Sequence, residues 1–320
     1  MTATTRFFLE TLLPVFFVLA LGHYAGWRGR INNTDTGALN TALMHFVLPC
    51  SLFLGVARTP PTVLRSQSPL LAVLALTMLF TYALVYLLER RVFGSDPSQA
   101  AVQSQTVSFS NNVAIGLPLL SSLYGPTGTL AVAAGIVSGA LVISPITLVL
   151  LEWNAKRNKD GRRSLGEQLG PAILAAVRRP IVLAPVLALL LPISGYALPA
   201  TAVASLDLIG KGTVGLALFL TGLILSAQRL RLQASVATGV ILKNFLQPSV
   251  MLGLLFLFRL HGEVAREAFL LAAVPAGFFG TVFGARYGVR SLEASSTLVL
   301  STALSAGTLP LAILLSSHLP

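Results

Sequence analysis

WNAKRNKDGRRSLGEQLGP, residues Trp153 to Pro171, is the one long hydrophilic connection in this chain of 320 residues, and its position decides the fold. On both sides the sequence consists of apolar runs. Short gaps rich in Gly, Pro, Asn or charge separate them: RGRINNTDTG, ARTPPTVLRSQSP, ERRVFGSDPSQ and YGPTG before the loop, LPISGYALP and AQRLRLQ after it. A helix needs about 20 apolar residues to cross the hydrocarbon core of a bilayer. A window of that length finds ten candidates, at 7–27, 37–57, 69–89, 100–123, 128–151, 175–195, 203–227, 235–258, 267–287 and 293–316. The loop divides them five and five.

Composition leads to the same class. The chain is 54% hydrophobic and 10% charged, with mean hydropathy +0.80, whereas globular chains carry about 25% charge. The expected fold class is therefore an all-α integral membrane protein. A net charge of +11 on a soluble fold would point to nucleic acid. Here the bases lie in the gaps, where they act as topology signals, and no nucleic-acid partner is expected. Cys50 has no second cysteine for a disulfide or a zinc cluster. The apolar run from Phe7 contains Glu10 and no A-x-A site closes it, so it reads as the first membrane helix and not as a cleaved leader.

Ten spans place alternate gaps on opposite sides. One side holds fifteen of the Lys and Arg residues, among them Arg28, Arg90, Lys156, Arg179 and Arg231, and the other holds five, Arg6, Arg58, Arg65, Arg259 and Arg266. The positive-inside rule then puts the basic loop, residues 153–174, in the cytoplasm and both termini outside. The expected domains are a first five-helix repeat, 1–152, and a second, 175–320. Because five is odd, the second half enters the membrane from the opposite side, so any repeat is inverted. SSLYGPTG after the fourth span and GARYGVRS after the ninth are its modest trace, and each of these two spans has an internal proline, Pro118 and Pro275. Proline opens a helix, which lipid tolerates only where the break is packed in protein or lines a cavity. Interrupted segments at corresponding places in two halves point to a transporter's binding site.

Several stretches carry a family resemblance: LLPVFFVLALGHYAGWRGRI, LNTALMHFVLPCSLF, FSNNVAIGLPLL, KNFLQPSVM, AVPAGFFGTVFGARYGV and STALSAGTLPLAILL. Together they resemble the auxin efflux carrier family, PIN-like in plants and with malonate and malate carriers among its bacterial members. Asn111 to Pro118, and Pro275 and Gly277 followed by Tyr287 and Gly288, are its most specific patterns. The resemblance implies a secondary transporter of small organic anions, with two inverted repeats and broken fourth and ninth helices crossing near the midplane. It further implies scaffold helices 1, 2, 6 and 7, transport helices 3–5 and 8–10, and a homodimer in the inner membrane with no cofactor. The substrate positions it implies are Asn111, Asn112, Gly116 and Pro118 from one broken helix and Pro275, Ala276 and Gly277 from the other.

The same residues carry a reading of their own. Half-helix N-termini present free N–H groups and partial positive charge, which suit a carboxylate. Asn111 and Asn112 would add amide donors, or else merely cap the break. Lys243 lies about eight residues into its span, roughly 12 Å deep at 1.5 Å per residue. A base at that depth marks function, unless its long stem snorkels to the interface; the family also has a base five residues before its proline, here Pro248. His45, four residues before Pro49, is either a donor or proton carrier in the cavity or a packed helix–helix hydrogen bonder. The glycines from Gly277 to Gly288, and Gly135 with Gly139, serve close packing. Asp207 and Lys211 form an i,i+4 pair without a transport role.

The alternative on this fold is a sodium- or proton-coupled carrier of another substrate class, akin to bile-acid symporters or cation antiporters. It is disfavoured because all eleven acids fall in gaps or near span ends, although a sodium site made of carbonyls and hydroxyls stays compatible with the sequence. An enzyme is not expected: the chain has no H-E-x-x-H, G-x-S-x-G or G-x-x-x-x-G-K-[ST].

Overall fold

The computed structural model describes residues 3–32, 36–58, 61, 68–157, 178, 180–227, 230–289 and 291–319. Most of the expected basic loop, from residue 158 to 174, lies outside them. The described residues are helical, with no strand among them. Among the described residues six helices are long and apolar enough to cross a membrane: Gly37–Leu54, Pro69–Arg91, Pro126–Leu151, Ala200–Ser226, Ala234–Leu257 and Leu292–Ser317. Shorter apolar helices occupy Phe16–Trp27, Asn112–Tyr124 and Leu183–Ser194. The ninth expected span consists of two pieces, Gly262–Ala273 and Phe279–Arg286.

Two helix starts show local chemistry at work. Asp96 caps Pro97–Ser108 by accepting from the Ser98 N–H at 3.3 Å, with Pro97 at the first helical position, where no N–H is needed. Ser291 accepts from Ala294 N–H at 3.1 Å to cap Leu292–Ser317.

Four turns of π-helix each precede a proline: Leu43–Val47 before Pro49, Asn112–Gly116 before Pro118, Gly139–Ile143 before Pro145, and Leu242–Leu246 before Pro248. A proline ring collides with the carbonyl four residues back. That carbonyl belongs to His45, Ala114, Leu141 or Asn244, in each case the middle residue of the π turn. Widening the turn by one residue moves the carbonyl aside and lets the helix continue. Pro14, Pro185 and Pro310 lie inside α-helices without such a turn.

The chain forms two compact units. One comprises residues 1–68, 112–136 and 179–228, the other 69–111, 137–178 and 229–320. In the first, Ala3–Trp27 packs along Thr213–Ser226. A Cβ on Gly22 would fall on the carbonyl oxygen of Phe219, and one on Gly222 on that of Leu19, so these glycines let the two backbones touch. Asp207 pairs with Lys211 at 2.9 Å and reaches Arg58 at 3.8 Å, an exposed cluster. In the second unit Pro97–Ser108 packs against Phe279–Arg286 and Ser144–Arg157. Phe109 fills a buried cluster with Met78, Tyr82 and Ile143 and stacks on Phe279 with ring centroids 5.1 Å apart.

Candidate functional site

Two helix interruptions define the site, and they have different causes. The second is made by Pro275: the residue before a proline is pushed out of helical geometry, and Val274 accordingly takes φ −57°, ψ 134° and ends Gly262–Ala273. The first lies at residues 109–111, where Phe109 is extended at φ −96°, ψ 101°. Pro118 does not cause that break. It sits at the start of Leu117–Tyr124 and is accommodated by the π turn before it, so the expected opening beside Pro118 occurs some two turns upstream.

The interruptions meet. Ser110 and Ala276 form an isolated antiparallel bridge, Asn111 N–H donates to Pro275 O at 2.9 Å, and Gly277 N–H donates to Thr106 O at 3.1 Å. A Cβ on Gly277 would strike the Phe109 carbonyl, so only glycine permits this approach. Ala276 N–H donates to Ser301 Oγ at 3.0 Å, and that hydroxyl donates to Asn244 Oδ1 at 2.6 Å. Backbone groups freed by the breaks are thereby satisfied inside the protein, as burial requires.

Lys243 is among the largest fully buried side chains. Its stem does not snorkel. The ammonium donates to Ser110 Oγ at 2.6 Å, Gln247 Oε1 at 2.6 Å and Ala272 O at 3.3 Å, using all three of its protons. Gln247 Nε2 in turn donates to Ser108 O at 2.8 Å. The lysine therefore binds both interruptions. Ser108 ends one half-helix and Ala272 lies in the last turn of the other, and helix C-termini carry partial negative charge. Among the described residues no carboxylate pairs with it.

Of the expected site residues, Asn111, Pro275, Ala276, Gly277 and Lys243 come together in this second unit. Asn112, Gly116 and Pro118 belong to the first, where Asn112 is 1% exposed and neither its Oδ1 nor its Nδ2 has a hydrogen-bond partner. Its amide nitrogen occupies the space that a Cβ on Gly135 would take. Buried amides are rarely left so. His45, also in the first unit, is exposed and its Nδ1–H donates to Thr41 O at 3.3 Å in its own helix.

The sequence reading passed over Ser110, Asn244, Gln247 and Ser301. Their signal was present: KNFLQP places Asn244 and Gln247 one and four residues after Lys243 in an apolar span, so Gln247 shares the lysine's helix face. Two acids near span ends also prove buried. Glu89 accepts from Ser95 and Ser235 hydroxyls at 2.5 and 2.6 Å, and Glu267 is fully enclosed.

Long apolar spans and interrupted helices around a buried polar centre, among the described residues, are those of an integral membrane protein, and the family and relatives that the chain matches are transporters, not enzymes. The chain belongs to the membrane transport protein family, Mem_trans, whose sequence model matches residues 7–313; this is the auxin efflux carrier family of the resemblance. Among its relatives is the "Uncharacterized transporter YfdV" of Escherichia coli K12, 28% identical over 97% of this chain and 98% of that protein. The "Putative malonate transporter" of Rhizobium meliloti is 24% identical over 93% and 92%. Auxin efflux carrier component 5 of Arabidopsis thaliana is 22% identical over 93% of each.

Proposed function

We propose that this protein is a secondary transporter of small organic anions, with malonate or a related dicarboxylate as the favoured substrate. The observation that carries the reading is the meeting of Ser110 with Ala276, where two helix interruptions converge beside a buried positive charge. The starts of the following half-helices have N–H groups without intrahelical acceptors, a setting for a carboxylate. The name of the Rhizobium relative supports this choice of substrate class.

Ten spans in two inverted repeats, an inner-membrane location with both termini outside, and a homodimer complete the proposal. Transport proceeds by alternating access of an elevator-like domain of helices 3–5 and 8–10 against a scaffold of helices 1, 2, 6 and 7. The division of the chain supports this in part, since residues 1–68 and 179–228 share one unit and 69–111 and 229–320 the other, while 112–136, from helices 4 and 5, fall with the first. A second reading, coupling to protons, draws on the enclosed carboxyl of Glu267.

Reconstitution in liposomes with radiolabelled malonate, malate, succinate and indole-acetate tests these proposals under imposed proton, sodium and voltage gradients. Saturable malonate uptake is expected; uptake of none of the four acids overturns the substrate class. Acceleration by a proton gradient selects the second reading.

A further inference from the structure

The surroundings of the Lys243 ammonium are unusual for a buried charge. An isolated ion is expensive to bury and is ordinarily matched by an opposite charge. Here the three acceptors are a hydroxyl, a side-chain amide and a peptide carbonyl, all neutral oxygens. The Gln247 oxygen must face the lysine, because an ammonium only donates, and the amide nitrogen is committed to Ser108 O. Positive charge at this point answers the carbonyl ends of Pro97–Ser108 and Gly262–Ala273, and that demand does not depend on whether the charge is covalently attached. Oxygen cages of this chemistry are what hard alkali cations take. That no carboxylate among the described residues pairs with the ammonium suits one positive charge better than two.

We propose that the oxygens of Ser110, Gln247 and Ala272 form an alkali-cation site that this chain fills with its own tethered ammonium. The parent protein accordingly needs no inorganic cation here, and removal of the ammonium creates a site for sodium or potassium. As a statement about ion coupling, the inference rests on the transporter reading above, but the site itself is measurable without any substrate.

The test uses the full-length protein in detergent, with Tm followed in sodium chloride, potassium chloride or choline chloride at equal ionic strength. The parent is expected to melt at the same temperature in all three. Lys243→Ala should melt lower in choline and recover, saturably, by about 4 °C or more in sodium or potassium. Lys243→Gln, which keeps most of the volume and neutral donors, should show a smaller recovery. A Lys243→Ala protein indifferent to the cation, or a parent specifically stabilised by sodium, overturns the proposal. So does loss of both variants in every salt, because a cation able to occupy the cage would restore them. These outcomes stay separate from the substrate question. If no carboxylate is transported but Lys243→Ala gains a sodium response, the site stands and the substrate class falls; if malonate uptake by the parent requires sodium, the reverse holds.

Discussion

The peptide N–H of Asn111 donates to the carbonyl of Pro275 at 2.9 Å, so the two interruptions are joined by main chain at this point. Side-chain substitutions can therefore probe the junction without cutting that bond. Asn111→Ala should stay folded in detergent and bind malonate about 10- to 150-fold more weakly, the loss of one hydrogen bond to a charged group at about 1.5 to 3 kcal/mol. Calorimetry across malonate, acetate and indole-acetate checks this, and unchanged affinity for all three would remove Asn111 from the site.

Asn112 should behave differently from its neighbour. Its buried amide has no hydrogen-bond partner in the structure, so Asn112→Ala gives up only packing against Gly135, and Tm should change little. Binding of carboxylates should fall by about tenfold or more, the value of a charge-assisted hydrogen bond. A lowered Tm with intact binding would make Asn112 a packing residue.

Gly277→Ala should be poorly tolerated. Its Cβ would overlap the Phe109 carbonyl, a backbone atom unable to swing aside, at the upper end of the roughly 1–3 kcal/mol that overpacking costs. Gly253→Ala is the control: nothing lies within 4 Å of the added methyl, and helix propensity favours alanine by up to about 1 kcal/mol. Folded yield by size-exclusion profile should fall for the first variant and hold or rise for the second.

Ser301→Ala removes the acceptor of the Ala276 N–H and a donor to Asn244. A destabilisation of about 1 to 3 kcal/mol is expected, the penalty of stranding a buried polar group. Ser249→Ala, whose exposed hydroxyl bonds within its own helix to Phe245 O, should leave the melting curve in place. Equal Tm for both variants would show that Ser301 does not hold the second interruption.

The apolar runs and the break at Pro275 were legible in the sequence because each follows from one residue type in a hydrophobic context. The first break was misplaced at Pro118 because proline is the visible helix breaker, while residues 109–111 depart from the helix through tertiary pairing with Ala276 and Pro275. Such pairing has no local signature. Gln247 and Asn244 were overlooked for a related reason: an amide in an apolar span declares its importance only when its partners, here Ser108 and Ser301, are known. The burial of Glu89 depends likewise on the hydroxyl of Ser235, far away in sequence.

The widened turns before Pro49, Pro118, Pro145 and Pro248 have a geometric consequence for anyone mapping these helices. Each holds one residue more than an α-helical turn, and one residue is about 100° of rotation. A helical wheel drawn through such a span therefore puts every residue beyond the proline on the wrong side, by more than a quarter of a circle. Cysteine-accessibility scans across 234–257 should show their periodicity slip in phase near residue 244, and deleting a single residue there would remove the slip while leaving the Gln247–Leu257 segment facing as it does now.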